Sequence, residues 1–267
     1  MAYPLSATKL QTYHRCARSY QFRYLQRLPG RPMFGGQALG TALHEAIARC
    51  YRDWDYLSPT LPLDWLVRCW RQVSEPLPPE QQSEGMEILE RFWHEAISPA
   101  VSRRPLGVEG RISGSLTVEG VEFRLGGRYD RLDCDERGLH LVDFKTSRSF
   151  NPPPGQELDL QLGLYAIALE QHYGQLLQSA SLVHLRSAQV VTYLCGPAQI
   201  EQARQAIAAL ALQLRSDRQW QPCLGDHCRS CGYRRYCPEA GGQELPPVAS
   251  AASPERIQLS LFDWGTA

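Results

Sequence analysis

Residues 126–146, GGRYDRLDCDERGLHLVDFKT, constrain the fold more than any other stretch of this sequence. Apolar and polar residues alternate on either side of Asp135-Glu136-Arg137-Gly138, a run of turn formers. The segment therefore reads as two antiparallel strands joined by a tight turn. Pairing Cys134 with Leu139 sets Asp130 opposite Asp143. Asp143 and Lys145, two apart on one strand, leave the sheet from the same face. Carboxylates that face each other across strands repel, and a divalent cation between them removes the penalty. On pattern alone, a solvent-facing hairpin carrying Asp and Lys accounts for the same residues.

Around this hairpin the periodicity predicts a mixed α/β chain. Ser6 is the expected N-cap of a helix running through about Leu25, with Leu10, Tyr13, Ala17, Tyr20 and Tyr24 at three- and four-residue spacings. Pro29 to Gly36 reads as a loop, and Gln37 to Trp54 as a second helix. Proline-rich breaks at 59–62 and 76–79 bracket a third helix, and a fourth runs from about Gln81 to Ala100. Residues 107–146 alternate as an antiparallel meander. A helix at 157–173, strands near 180–186 and 189–194, and a helix at 197–215 follow. That order predicts a mixed central sheet flanked by helices, with a helical lobe before it. From Glu239 to Arg256 the composition turns to Gly, Pro, Ala, Ser and Glu, the signature of a flexible tail.

Lys plus Arg balance Asp plus Glu at 28 each, so any basic surface for a polyanion must be local. No apolar run is long enough to span a bilayer, and the N-terminus lacks a signal-peptide core, so the expected location is cytoplasmic. Nine cysteines in such a chain point to metal binding rather than a disulfide framework. Cys50, Cys69, Cys134 and Cys195 sit singly and read as small buried hydrophobes. Cys228-x-x-Cys231-x5-Cys237 is a cluster of three thiols that needs a fourth ligand. Cys16 is the leading candidate for it, with Cys223 and His227 as competitors, and the spacing serves zinc or an iron–sulfur cluster alike. Arg229, Arg234 and Arg235 interleave with Tyr233 and Tyr236, which either stack bases of a single strand or cover the cluster. No Gly-x4-Gly-Lys-Ser/Thr run is present, so no nucleotide-driven motor is expected.

His44, in Gly40-Thr41-Ala42-Leu43-His44-Glu45, offers a neutral imidazole, and Gln161 and Tyr165 share one face of a helix. Together, His44, Asp130, Asp143-Phe144-Lys145 and Gln161-x3-Tyr165 resemble, in order and approximate spacing, the RecB-like branch of the PD-(D/E)XK nucleases. The resemblance covers residues 5–238 and implies a restriction-endonuclease-like mixed sheet flanked by helices, with one or two Mg²⁺ or Mn²⁺ ions. It implies His44, Asp130, Asp143 and the Phe144 carbonyl as metal ligands and Lys145 as the catalytic lysine. Gln161 and Tyr165 would support the site and the DNA. Such enzymes often keep an acidic residue near Glu109, whose role stays open. Cys16 with Cys228, Cys231 and Cys237 is similar to the iron–sulfur nucleases of that branch, the AddB-type domains and CRISPR-associated RecB-like exonucleases. There one early and three late cysteines hold a 4Fe–4S cluster that staples the chain ends.

The domain reading is therefore a nuclease domain over 1–238, with a helical insertion at about 50–105, and a tail over 239–267. In that tail, Gln258-Leu259-Ser260-Leu261-Phe262 resembles the bacterial sliding-clamp-binding motif. The preceding linker gives a reach of roughly 25 Å. The alternative is that Leu259, Leu261 and Phe262 pack back on the domain. The expected function is a Mg²⁺- or Mn²⁺-dependent DNA nuclease, exonucleolytic on single strands or ends, in repair or recombination. A helicase partner would supply any unwinding. The alternatives are a non-cleaving DNA- or helicase-binding module of the same fold and a zinc-stapled scaffold.

Overall fold

A computed structural model describes residues 2–31, 36–58, 60–97 and 103–243. The chain opens with β1 (Tyr3–Ser6) and helix α1 (Ala7–Arg15), whose first turn is capped by the Ser6 side chain accepting from the Lys9 amide. The predicted continuous helix is broken at Cys16, which is extended at φ −168°, ψ 112°. It resumes as α2 (Ala17–Tyr20) and a wide π turn over Gln21–Leu25.

Helices α3 (Gly36–Arg52), α4 (Leu63–Ser74) and α5 (Pro79–Phe92) form the helical lobe. Then come β2 (Gly107–Val108), β3 (Arg111–Val118), β4 (Val121–Arg128), β5 (Arg131–Asp135) and β6 (Gly138–Lys145). Helix α6 (Leu160–Tyr173), β7 (Leu177–His184), β8 (Gln189–Leu194) and α7 (Pro197–Ser216) complete the regular structure.

The predicted meander is divided between two sheets, ordered β1-β4-β3 and β2-β5-β6-β7-β8. Both sheets are mixed, with β1 parallel to β4 and β6 parallel to β7. The parallel β6–β7 pair needs a crossover, and α6 supplies it. Two strand pairs leave one sheet for the other at the same level. Gly107–Val108 pair with Leu132 and Arg131, whereas Arg111 already pairs with Arg128 in the other sheet. Between them, the Glu109 amide donates to the Asp130 carbonyl at 2.8 Å and the Tyr129 amide to Gly110 at 3.0 Å.

The larger core packs α1, α6 and α7 against both sheets, and residues 162–169 of α6 are buried on every side. Asp159 caps this helix by accepting from Gln161 and Leu162 amides. The second core joins α3, α4 and α5 to the opposite face of the five-stranded sheet through Phe144, Val183 and Leu185. A third, small cluster of Phe22, Leu28, Tyr236 and Cys237 ties the N-terminal segment to the C-terminal one. There the Arg31 amide donates to the Gly232 carbonyl. Hydrogen-bonded structure also runs past the expected tail boundary, since Pro238–Ala240 form a 3₁₀ turn and the Gly242 amide donates to Cys237.

Candidate functional site

In β6 the odd-numbered side chains face the larger core. Leu139 and Leu141 are fully buried there, and the same row ends in Asp143 and Lys145. The row turns polar where it meets the first turn of α6. Cys134 pairs with Leu139 and Arg131 with Val142, the register expected from the tight turn. Asp143 is 3% exposed. Its Oδ2 lies 2.6 Å from Lys145 Nζ, and its Oδ1 accepts from Gln161 Nε2 at 2.7 Å. Lys145 Nζ donates to Gln161 Oε1 at 2.8 Å, closing a three-membered polar ring. Tyr165, one turn further along α6, donates to the Arg128 carbonyl at 2.8 Å and fixes the end of β4. Gly127 makes room for its ring, since a β-carbon there would come within 2.7 Å of Tyr165 Cε1.

Asp130 joins this ring from the neighbouring strand end. Its Oδ2 accepts from the Phe144 amide at 2.7 Å, and its Oδ1 lies 3.3 Å from His44 Nδ1. Gly40, one turn before His44, lets α3 approach the end of β6, because a β-carbon there would sit 2.8 Å from Thr146 Oγ1. Glu109, whose role the sequence leaves open, completes a group with His44 and Asp130. Ligand atoms of His44, Glu109 and Asp130 all lie within 4.8 Å of one another. Glu109 has φ +53°. A side-chain-bearing residue in that region costs about 1 kcal/mol. No local composition signal marks this bend, though the adjacent glycine hints at irregular backbone.

The charges are poised around that group. Burial pushes the Asp143 carboxyl up from its ordinary range, with Lys145 pulling it down and Asp130 pushing it further up. Asp143 Oδ2 is buried and paired with the Lys145 ammonium at 2.6 Å. Burial disfavours the charged His44 ring, yet the hydrogen bond and charge of Asp130 outweigh it and raise the pKa. Glu109 is raised by burial and then by Asp130. A half-buried cluster with carboxylates in excess suits a hard divalent cation.

The cysteines gather elsewhere. A cavity of about 510 Å³ is lined by Cys16, Cys223, Cys228, Cys231 and Cys237, together with five arginines. All are free thiols. The break at Cys16 makes the cavity wall, and the Cys223 amide donates to Cys16 Sγ at 3.5 Å. The base-stacking reading of the nearby aromatics does not hold for Tyr236, which is buried against Phe22. Arg235 covers its ring and donates to the Pro29 carbonyl at 2.8 Å, so this pair clamps the N-terminal segment. Gln258, Leu259, Leu261 and Phe262 lie outside the described residues.

No described helix is long and apolar enough to cross a membrane. No curated protein matches the sequence. Among solved structures, SSO0001 is similar at 16% identity and a TM-score of 0.45, covering 90% of this chain and 88% of that chain. A "Putative exonuclease" from Eubacterium rectale is similar at 11% identity and a TM-score of 0.49, covering 85% of this chain and 88% of that one. A family model described as the PD-(D/E)XK nuclease superfamily matches residues 4–238, nearly the whole described structure. The chain therefore belongs to the PD-(D/E)XK nuclease superfamily.

Proposed function

We propose that the protein is a Mg²⁺- or Mn²⁺-dependent DNA nuclease of the RecB-like branch, exonucleolytic on single strands or DNA ends. The observation that carries this is the polar ring of Asp143, Lys145 and Gln161 set beside Asp130 and His44. His44, Asp130 and Asp143 would hold the cation, with the Phe144 carbonyl beside them. When bound, such a cation polarises a phosphoryl oxygen and makes water a better nucleophile. Lys145, held by Asp143 and Gln161, places a fixed positive charge where the phosphate gains negative charge. Gln161 orients both partners at once, and Tyr165 secures the strand end from which Asp130 follows. A non-cleaving binding module would have no use for a lysine oriented in this way.

In this reading residues 1–238 form the nuclease domain, with its helical insertion at about 50–105, and 239–267 form a tail. Cys16, Cys228, Cys231 and Cys237 would hold a 4Fe–4S cluster that links the chain ends, zinc being the alternative occupant. Visible absorbance with matching iron and sulfide content in anaerobically purified protein supports the cluster, and stoichiometric zinc rejects it. The segment 258–262 would dock on a sliding clamp and bring a cytoplasmic repair nuclease to DNA. Clamp binding that survives its deletion rules this out.

The function itself is tested on end-labelled single- and double-stranded DNA, closed circular DNA and RNA, with Mg²⁺, Mn²⁺ or chelator. Cation-dependent shortening of linear DNA is the expected result. Cleavage of closed circles would replace the exonuclease reading with an endonuclease one, and no cleavage of any substrate would refute the proposal.

A further inference from the structure

A second clamp holds the backbone that leaves the polar ring. β6 ends at Lys145, and its parallel neighbour β7 ends at His184. Beyond these ends, three consecutive carbonyls of the outgoing chain are each taken by one of three consecutive residues. The Leu185 amide donates to the Lys145 carbonyl at 2.9 Å, Arg186 Nε to the Thr146 carbonyl at 3.0 Å, and His184 Nε2 to the Ser147 carbonyl at 2.8 Å. A carbonyl only accepts, so Nε2 carries a proton, and Nδ1 of this buried ring meets the Ser187 hydroxyl at 2.8 Å. Phe150 stacks on the same ring with centroids 4.9 Å apart, and the Ser147 hydroxyl donates to the Ser149 carbonyl at 2.6 Å. Arg186 is itself braced by the helical lobe, through Glu84 and Arg91 of α5.

What the clamp presents is Arg148. Ser147, Arg148 and Ser149 are exposed, and Arg148 has no hydrogen-bond or ion-pair partner among the described residues. Holding an exposed loop in one shape costs conformational entropy, and a merely solvated loop has no need of three dedicated carbonyl partners. Ligands of open α/β sheets bind beyond the carboxyl ends of parallel strands. β6 and β7 are the parallel pair of this sheet, and the loop leaves from that end. Arg148 follows Lys145 by three residues, a span of at most about 11 Å. A polyanion with one charge at Lys145 therefore brings its neighbouring charges within reach of the Arg148 guanidinium.

We propose that residues 147–149 form a preformed phosphate-binding loop. In it Arg148 grips a nucleic-acid phosphate flanking the one at Lys145, and His184 is the positioning residue that sets the loop. A planar, permanently charged guanidinium suits that partner, since it pairs with two phosphate oxygens at once. A loop ordered before binding leaves more of the contact energy to affinity. The inference rests on the reading of this centre as one that acts on nucleic acid.

The test is fluorescence anisotropy of a labelled DNA strand, single or paired with its complement, titrated with protein in chelator over a series of salt concentrations. Nothing is turned over under those conditions. Arg148→Gln should weaken binding of the single strand by about threefold to tenfold, with the salt slope reduced by about 0.7, the share of one phosphate contact. Arg137→Gln, in the turn at the opposite end of β6, should change neither quantity. His184→Gln should weaken binding as far as Arg148→Gln does, and the double variant should bind no more weakly than the weaker single one. Circular dichroism checks that each variant is folded. Where His184→Gln is not, Phe150→Leu, which removes the ring stacked on His184, takes its place. Unchanged affinity and slope in Arg148→Gln, or an equal loss in Arg137→Gln, overturns the phosphate contact and leaves Arg148 a solvated surface charge. Additive losses in the double variant overturn the positioning role of His184. Wild-type protein that binds neither form of the strand overturns the nucleic-acid reading of the whole centre, so the two failures are distinguishable.

Discussion

Asp130 meets Asp143 across a hairpin with a two-residue turn, whereas Cys16 meets Cys228 across more than two hundred residues of chain. The first meeting is set by strand register and backed by side-chain hydrogen bonds from β6, α6 and α3. The second is made by a broken helix and short 3₁₀ turns, where single amide-to-carbonyl bonds such as Cys231 to Cys228 set the shape. In the proposed reading the fold builds the first site ahead of its ion, whereas the second is a joint that an ion would complete, so loss of metal should disable the first and loosen the second.

That contrast is sharpest in stability. Cys228→Ser in metal-loaded protein should cost about 5 kcal/mol, the closure term for a cross-link spanning a loop of this length. Cys223→Ser, on a cysteine whose amide and carbonyl rather than its thiol support the neighbouring sulfurs, should cost far less. Urea unfolding of the two variants checks the pair, and equal losses would break the assignment of the four ligands.

Asp143→Asn should do the reverse at the cation centre. Its activity should fall by about a thousandfold, as for removal of a principal electrostatic group. In cation-free protein its melting temperature should rise. A carboxyl whose folded pKa lies above its unfolded value opposes folding at every pH where it would otherwise be ionised. At neutral pH the amide relieves that cost, and thermal melts in chelator measure the change. A lower melting temperature would mean that the Lys145 contact outweighs the burial.

Gln161→Ala should have the smallest effect, about tenfold to hundredfold in kcat, because it positions Lys145 and Asp143 without being a metal ligand. Single-turnover kinetics at saturating cation isolate that step. Wild-type rates would show that β6 alone holds the lysine.

Much of the first site was legible in the sequence because its geometry is local. A two-residue turn fixes the Cys134–Leu139 pairing, and every opposite residue follows from it. The spacing of Gln161 and Tyr165 put both on the face of α6 that meets the strand end. What sequence could not show depends on distant neighbours. Alternation continues unbroken through Glu109, so the passage from one sheet to the other leaves no change of period. The helical spacing around Cys16 likewise hides the break, because Ala17, Arg18 and Ser19 are compatible with helix and the partner, Cys223, lies far along the chain. The arginines and tyrosines after Cys231 read equally as a nucleic-acid surface or as a cover for the cluster, since sequence does not reveal that Pro29 and Phe22 are neighbours of Arg235 and Tyr236.

The central claim is that Lys145, held between Asp143 and Gln161, belongs to a cation-dependent phosphodiesterase centre. Its most direct test compares wild type and Lys145→Ala on end-labelled single- and double-stranded DNA in Mg²⁺ and in Mn²⁺. Such a centre predicts cation-dependent cleavage by wild type and a loss of about a hundredfold to a thousandfold in the variant, with the fold intact. Equal cleavage by the two proteins would contradict it.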